Sequence, residues 1–533
     1  MKTINTIYVV GGGSAGAMTA CTIKKFFPEK DVRMLEGRDI PVVGVGESTL
    51  GPINGWLNIM GIKDEDWMKE CGASYKMSIR FEDFLHKGDG GFHYPFGKVD
   101  KFKSESLAGL NDWYFKKFMY PETPNSDYAD CVYPSMALVN ENKISDKKDI
   151  LPDWSFKRDV AYHFDAIKFG NWLKENYFRK IGGRILQENI RKVHKNDDGS
   201  IKCLELDTGN TIEADLWIDC TGFKSMLLGG ALQEPFESYE DILPNNSAWA
   251  TRLPYFDKEK ELKPYTNCTA YNHGWIWDIP LWHRRGTGYV FSDKYVTDEE
   301  ALREFKNYLI TKNPTMKTDV FESLEFKKLK MRVGIHERLW VKNVCAIGLS
   351  GGFIEPLESN GLLTVHEFLT HFIEVLKKPI INEYAKTTFN MTCKRMFRGF
   401  AEFVSLHYAL SNRTDTQYWK DIQTRNYPVQ EKYFEPSGDF QRSIVEKMEI
   451  NHYDTSGGFH CIATGMNWYP TSVERIKYSL SDITDEQLKQ QWQPAIDKIN
   501  MRKEEYKKVA NYCPTLYNYL KEKIYNDDTS LRT

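Results

Sequence analysis

A short apolar run, Ile7-Tyr8-Val9-Val10, leads directly into Gly11-Gly12-Gly13-Ser14-Ala15-Gly16, after which residues 17–27 read as a helix. This order of strand, glycine turn and helix constrains the fold more than any other stretch of the 533 residues. It specifies the opening of an α/β sheet that binds a dinucleotide. Gly11 permits the tight turn, Gly13 lets backbone approach a pyrophosphate, and Gly16 allows the helix to pack closely on the strand. Ser14 and Ala15 lie between them at the helix N-terminus, where phosphate charge is favoured. Residues 32–35 read as a second strand, and Glu36 falls 20 residues after Gly16, placed to accept the ribose hydroxyls of an adenosine. The glycines alone do not choose between FAD and NAD.

Composition narrows the class. With 41% hydrophobic and 27% charged residues and a formal net charge of -3, the chain reads as an ordinary soluble globular protein with no signature of nucleic-acid binding. Ten cysteines lack CxxC pairs or Cys/His ligand spacing, which argues for reduced thiols, no metal site and a cytoplasmic setting. No apolar run approaches the roughly 18 residues of a membrane span, and the N-terminus lacks a signal-peptide pattern. An aromatic content of 14% fits an aromatic core or a site that stacks flat rings.

Further motifs carry the chemistry. Gly44-Val45-Gly46-Glu47-Ser48-Thr49 is a second glycine-rich segment, either a surface turn or a loop that closes on a ligand. Lys76 precedes Met77-Ser78-Ile79-Arg80-Phe81, an alternating pattern that predicts a half-buried strand with Lys76 on the face of Ser74 and Ser78. Tyr162-His163-Phe164-Asp165 opens a helical pattern, and His163 is given no role. Residues 201–214 alternate around Asp207-Thr208-Gly209-Asn210, a hairpin signal, and Asp219 follows as a turn cap or a nucleotide contact. Gly274-Trp275-Ile276-Trp277-Asp278-Ile279-Pro280 puts two indoles on one face of a strand that ends at proline. A strand at residues 344–347 feeds a glycine-rich loop and a helix from Leu362, a second anion site with Asn360 and Gly361 as N–H donors. Beyond Val375 the chain turns helical, and residues 498–523 read as two solvated helix faces interrupted by Pro514.

These motifs, in this order and extending to Asn412-Arg413-Thr414-Asp415-Thr416, resemble those of the flavin-dependent halogenases of tryptophan-halogenase type. The resemblance implies an α/β fold, in which an FAD-binding Rossmann-like module of the aromatic-hydroxylase type is interwoven with a mostly helical substrate module. Residues 1–375 would form the first and residues 376–533 the second. It implies an FADH2-dependent halogenase, an oxidoreductase in which FADH2, O2 and halide give a hypohalous acid that halogenates an aromatic ring electrophilically. Lys76, in the A-x-Y-K context of Ala73-Ser74-Tyr75-Lys76, would hold the hypohalous acid, with Glu358 orienting it and serving as base and Ser359 beside them. Val45, Gly46, Glu47 and Ser48 would lie against the flavin, and Trp275 and Trp277 would keep organic substrate away from it. Halide would bind at Asn360 and Gly361. The family's E-P-L-E-S-T-G carries Thr where this chain has Asn360, which suggests tolerance of bromide or iodide besides chloride.

Tyr94 and Phe96 are the candidate substrate residues. Tyr94 stands where tryptophan-specific members carry His, and no late Trp is evident around residues 453–458, so an indole or phenol is expected in preference to free tryptophan. A separate flavin reductase would supply FADH2, with no nucleic-acid or membrane partner; a homo-oligomer is compatible with the sequence. The alternatives are a flavin-dependent aromatic monooxygenase and a non-catalytic flavin-binding redox protein.

Overall fold

The opening glycine turn does what its chemistry requires. Strand β1 (Thr6–Val10) is followed by helix α1 (Ser14–Phe26) and strand β2 (Asp31–Glu36), and β1 pairs in parallel with β2 on one side and with Leu216–Asp219 on the other. A parallel pair needs a crossover, and α1 supplies it, burying the small side chains Ala17, Ala20 and Cys21 so that helix and strand approach closely. Gly11 has φ +119, and a Cβ there would stand 2.2 Å from the carbonyl oxygen of Cys220, so only glycine fits between the two strand ends. The structure, a computed structural model, describes residues 4–38, 47–98, 112–430, 456–468 and 484–526.

Around β1 the sheet has six strands in the order Trp340–Val341, Val344–Ala346, Leu216–Asp219, β1, β2, Arg184–Gln187. All neighbours are parallel except the first pair. The predicted hairpin forms the small antiparallel sheet of Ile190–Lys195, Ile201–Leu206 and Thr211–Ile212, inserted between the edge strand Arg184–Gln187 and the central strand Leu216–Asp219. A second, seven-stranded sheet holds Gly274–Pro280 between Arg285–Phe291 and Tyr265–Tyr271, and continues through Ser78–Glu82 to Gly91–Pro95.

Two local expectations are corrected. The predicted single strand through Lys76 breaks at Met77: Ser74–Lys76 pairs with Ala161–Phe164 in a three-stranded sheet, whereas Ser78–Glu82 belongs to the seven-stranded one. Lys76 is fully buried, as are Ser74 and Ser78, rather than on a half-solvated face. Residues 162–164, expected to open a helix, form the strand Ala161–Phe164; the helix Ala166–Trp172 begins after Asp165, whose side chain accepts from the N–H groups of Ile167 and Lys168.

The later chain is helical, and its helices are bonded to the sheets. Asn390, on the long helix Glu383–Ala409, accepts from the N–H groups of Leu339 and Trp340 and donates to the Trp340 carbonyl, capping the edge of the dinucleotide sheet. Near the other end of the chain, Tyr525 stacks on Trp282 with centroids 4.1 Å apart at 7°, and its hydroxyl donates to the carbonyls of Ala73 and Met68. Among the described residues, no helix is long and apolar enough to cross a membrane.

Candidate active site

At the dinucleotide end, α1 starts without a side-chain cap, because Gly13 has none to offer and Ser14 Oγ instead donates to the Ala166 carbonyl at 2.8 Å. The first helical N–H groups, at Ser14, Ala15 and Gly16, are thus available to an anion. Glu36 ends β2, where its carboxylate accepts from Lys174 Nζ at 2.5 Å and from Gln187 Nε2 at 2.8 Å. A Cβ on Gly12 would lie 2.0 Å from Glu36 Oε2, so the glycine turn and the acid are fitted to each other. An open helix N-terminus, a glycine cradle and an oriented carboxylate fit the pyrophosphate and ribose of a dinucleotide. Val45 and Gly46 lie outside the described residues. Glu47 and Ser48 form a two-residue strand against Ala161–Phe164. Asp219 is a turn cap, accepting from Thr221, Leu227 and Leu228 N–H groups.

Lys76 Nζ donates to the Thr49 carbonyl at 2.9 Å and to Ser359 Oγ at 2.8 Å, and stands 4.9 Å from the ring centre of Phe96. Burial draws its pKa from an ordinary 10.5 down to about 7, against the smaller opposing pull of Cys268 and Glu358. Because Nζ can only donate here, Ser359 donates onward to Ser48 Oγ at 3.0 Å, Ser48 to Thr266 Oγ1 at 2.6 Å, and Thr266 to His163 Nε2 at 2.9 Å. His163 then carries its proton on Nδ1, 3.4 Å from Ser74 Oγ, and Ser74 donates to the Pro280 carbonyl at 2.5 Å. The chain of donors ends on a carbonyl, which takes up no proton, so it orients Lys76 without draining charge from it. His163 is held neutral, its pKa pushed well below the ordinary value by burial and then by Lys76.

Glu358 closes the one-turn helix Pro356–Glu358, and Ser359 follows in the left-handed region at φ +57. Both carboxylate oxygens of Glu358 are buried without a hydrogen-bond partner, and burial, opposed by Lys76, raises its pKa well above the usual carboxylate range. His407 Nε2 lies 3.2 Å from Glu358 Oε1, on a ring with no solvent exposure. Asn360 occupies the cap position of the 16-residue helix Gly361–Leu376 without making a cap bond, and its buried Nδ2 has no partner. Nothing lies within 4 Å of a Cβ built on Gly361, which leaves open space at that helix N-terminus.

The two tryptophans share a strand face with ring centres 6.2 Å apart. Trp275 Nε1 donates to Glu355 Oε2 at 3.0 Å, while Tyr408 OH (2.6 Å) and Asn245 Nδ2 (2.8 Å) bond the same oxygen. Trp277 fits because residue 288 is glycine: a Cβ there would meet the indole at 2.1 Å. Beside Lys76, Phe96 meets Tyr94 edge to face at 6.1 Å, and Tyr94 also packs on Phe403 at 6.0 Å. The helix Ser456–Gly465 covers this wall: a Cβ on Gly458 would lie 2.9 Å from the Tyr94 ring.

The fold therefore brings Lys76, Ser359 and Ser48 into direct contact and sets Phe96 beside Lys76. Sequence reasoning missed His407, Glu355, Lys174 and Thr266. Glu355 stands three residues before Glu358 in the same loop and could have been suspected; His407 sits within a 27-residue helix whose pattern does not single it out.

A dinucleotide sheet joined to a site of buried ionisable side chains defines a flavoenzyme-like architecture, and comparison with known proteins makes the assignment specific. The tryptophan halogenase family profile matches residues 6–481. Tryptophan 7-halogenase RebH of Lentzea aerocolonigenes is 32% identical over 431 residues, covering 78% of each chain. The apo structure of VirX1 superposes with a TM-score of 0.87 at 34% identity, covering 98% of this chain and 100% of that one. The tryptophan 6-halogenase SttH of Streptomyces toxytricini gives a TM-score of 0.79 at 29% identity, over 97% of this chain and 99% of that one. The chain belongs to the tryptophan halogenase family. It is an FADH2-dependent halogenase, an oxidoreductase with an FAD-binding Rossmann-like α/β fold.

Proposed function

We propose that this enzyme, working in the cytoplasm with a separate flavin reductase, halogenates an electron-rich aromatic such as an indole or phenol, with free tryptophan not its required substrate. The observation that carries this reading is Lys76, whose amine is fully buried, held by two acceptors and poised between charge states. FAD, when bound and reduced, supplies the two electrons with which O2 converts halide to hypohalous acid. Gly11, Gly13, Ser14, Ala15, Gly16 and Glu36 would hold it, with the segment of Val45, Gly46, Glu47 and Ser48 against the ring system.

An ammonium has three donors, and two of those on Lys76 are engaged. The third can hold hypohalous acid by a hydrogen bond; in the amine form, which a pKa of about 7 makes accessible at neutral pH, the lone pair can take its place. The relay through Ser359, Ser48, Thr266 and His163 fixes the direction in which the amine presents that position. Glu358 is the carboxyl group that handles protons at the reacting ring. Trp275, anchored on Glu355, and Trp277 wall the substrate from the flavin. Phe96 and Tyr94 line the aromatic side.

Halide would sit at the N-terminus of Gly361–Leu376, taken by the Gly361 N–H and by Asn360. The open space at Gly361 supports acceptance of bromide and iodide, which are also easier to oxidise than chloride. The proposed module boundary near residue 375 would coincide with the end of that helix, and a homo-oligomer is compatible with this reading.

The test is mass spectrometry of indoles, phenols and free tryptophan incubated with the protein, FAD, NADH, a generic flavin reductase and chloride, bromide or iodide in turn. A halogen mass shift on indoles or phenols, absent in Lys76→Ala, is expected. Halogenation of free tryptophan alone would overturn the substrate assignment, and an oxygen mass shift independent of halide would replace the reaction by monooxygenation.

A further inference from the structure

His407 and Glu358 are two buried polar groups that lie against each other. His407 Nδ1 lies 3.1 Å from the Val404 carbonyl, which can only accept, so Nδ1 carries the hydrogen of the neutral ring and Nε2 is bare. That bare nitrogen lies 3.2 Å from Glu358 Oε1, and neither atom has a hydrogen-bond partner. Two lone pairs at that distance repel; a proton on the carboxyl group turns the same contact into an attraction. The surroundings leave little else to hold a charge. Phe81 and Phe84 pack on the imidazole with ring centres 4.3 and 5.5 Å away, Cys268 and Cys461 stand near the carboxyl group with thiols raised by burial, and Lys76 is the cation that faces it.

The geometry points to His407 as the positioning residue that keeps Glu358 a neutral carboxylic acid at rest, so that Glu358 acts first as an acid and then as a base in halogenation. This rests on the catalytic reading of Glu358 given above and deepens it. In the acid step, the ring π pair forms the carbon–halogen bond, the oxygen–halogen pair stays on oxygen, and the Glu358 proton passes to that oxygen, which leaves as water. In the base step, the carboxylate takes the proton from the carbon that gained the halogen, and the carbon–hydrogen pair restores the aromatic ring. Aromatic plus hypohalous acid becomes halogenated aromatic plus water, and Glu358 ends protonated as it began. Burial, which raises the Glu358 pKa and lowers that of His407 to about 3, works in the same direction as the facing lone pair.

The experiment is an infrared pH titration of the FAD-loaded protein, with Glu358→Gln subtracted to isolate the carboxylic-acid carbonyl band, run beside the pH profile of turnover. Wild type should show the band at neutral pH, and its loss at high pH should track the alkaline fall in turnover. In His407→Phe both midpoints should move down by about one unit or more, since an acceptor that favoured the acid form is gone. His407→Gln, whose side-chain oxygen can also accept, should restore them. A wild-type protein without the band at neutral pH, or midpoints unmoved in His407→Phe, would overturn the inference. Should His407→Phe fail to fold, His407→Asn serves as the short substitute whose side chain cannot reach Glu358, with the same expected fall and the same overturning result. If Glu358→Gln turns over at the wild-type rate, the catalytic reading falls and the inference with it; if it is impaired while the midpoints stay put, only the inference falls.

Discussion

At Glu36 a carboxylate meets an ammonium at 2.5 Å and an amide at 2.8 Å, and the pair remains slightly open to solvent. At Glu358 a carboxyl group of the same chemistry is buried with no hydrogen-bond partner. The first arrangement suits the ribose-holding role proposed for Glu36, because two donors fix the direction of its oxygens. The second suits one whose task is to change protonation state, because a small local change then decides whether it carries a proton. Binding and reaction are thus assigned to opposite electrostatic environments within one chain.

Removing the reactive end should have the larger consequences. Lys76→Ala is expected to lower halogenation by at least about 100-fold while FAD binding, followed by flavin fluorescence, stays intact; normal turnover would end the comparison at its strongest point. Glu358→Gln should slow turnover by roughly 100-fold with little loss of thermal stability, since an amide of equal size replaces an acid that is already neutral.

Stability should respond in the other sense. Lys76 has a lower pKa folded than unfolded, so between pH 7 and 10.5 the unfolded chain binds more protons and stability rises with pH through that window. The cost of burying this lysine is full below about pH 7, on the order of 5 kcal/mol, and fades toward pH 10.5. Lys76→Met should therefore melt higher than wild type at neutral pH, with the gap closing in alkali; a gap independent of pH would mean that desolvation of the ammonium is not its source. The smallest effect is expected at the binding end. Lys174→Met should weaken FAD binding several-fold in a titration without altering which product forms, because Glu36 loses the partner that orients it.

The two ends also differed in how far they could be read from sequence. The dinucleotide turn is local: strand, glycines and helix are contiguous, so periodicity and glycine spacing were sufficient. The order of motifs likewise brought Lys76, Glu358 and Ser359 forward, and Lys76 and Ser359 do touch. What sequence misjudged was burial. The pattern across residues 74–81 reads as one strand, yet the backbone changes sheets at Met77, and Lys76 lies fully buried together with Ser74 and Ser78. Nor could periodicity find His407, which meets Glu358 because a helix 49 positions later in the sequence crosses the loop. The Glu355 anchor is assembled from Asn245, Trp275 and Tyr408, three segments that share no pattern.

Tyr525 fastens the carbonyl of Ala73, directly before the strand that ends at Lys76, from a position 452 residues further along. That tyrosine is made long after the strand it fastens. The strands of the nucleotide sheet all precede it, so the segment that ends at Lys76 gains this tie only when a distant part of the chain folds back on it. The glycine cradle is thus complete within a short stretch of chain, whereas the segment leading to Lys76 is held from both ends of the sequence at once.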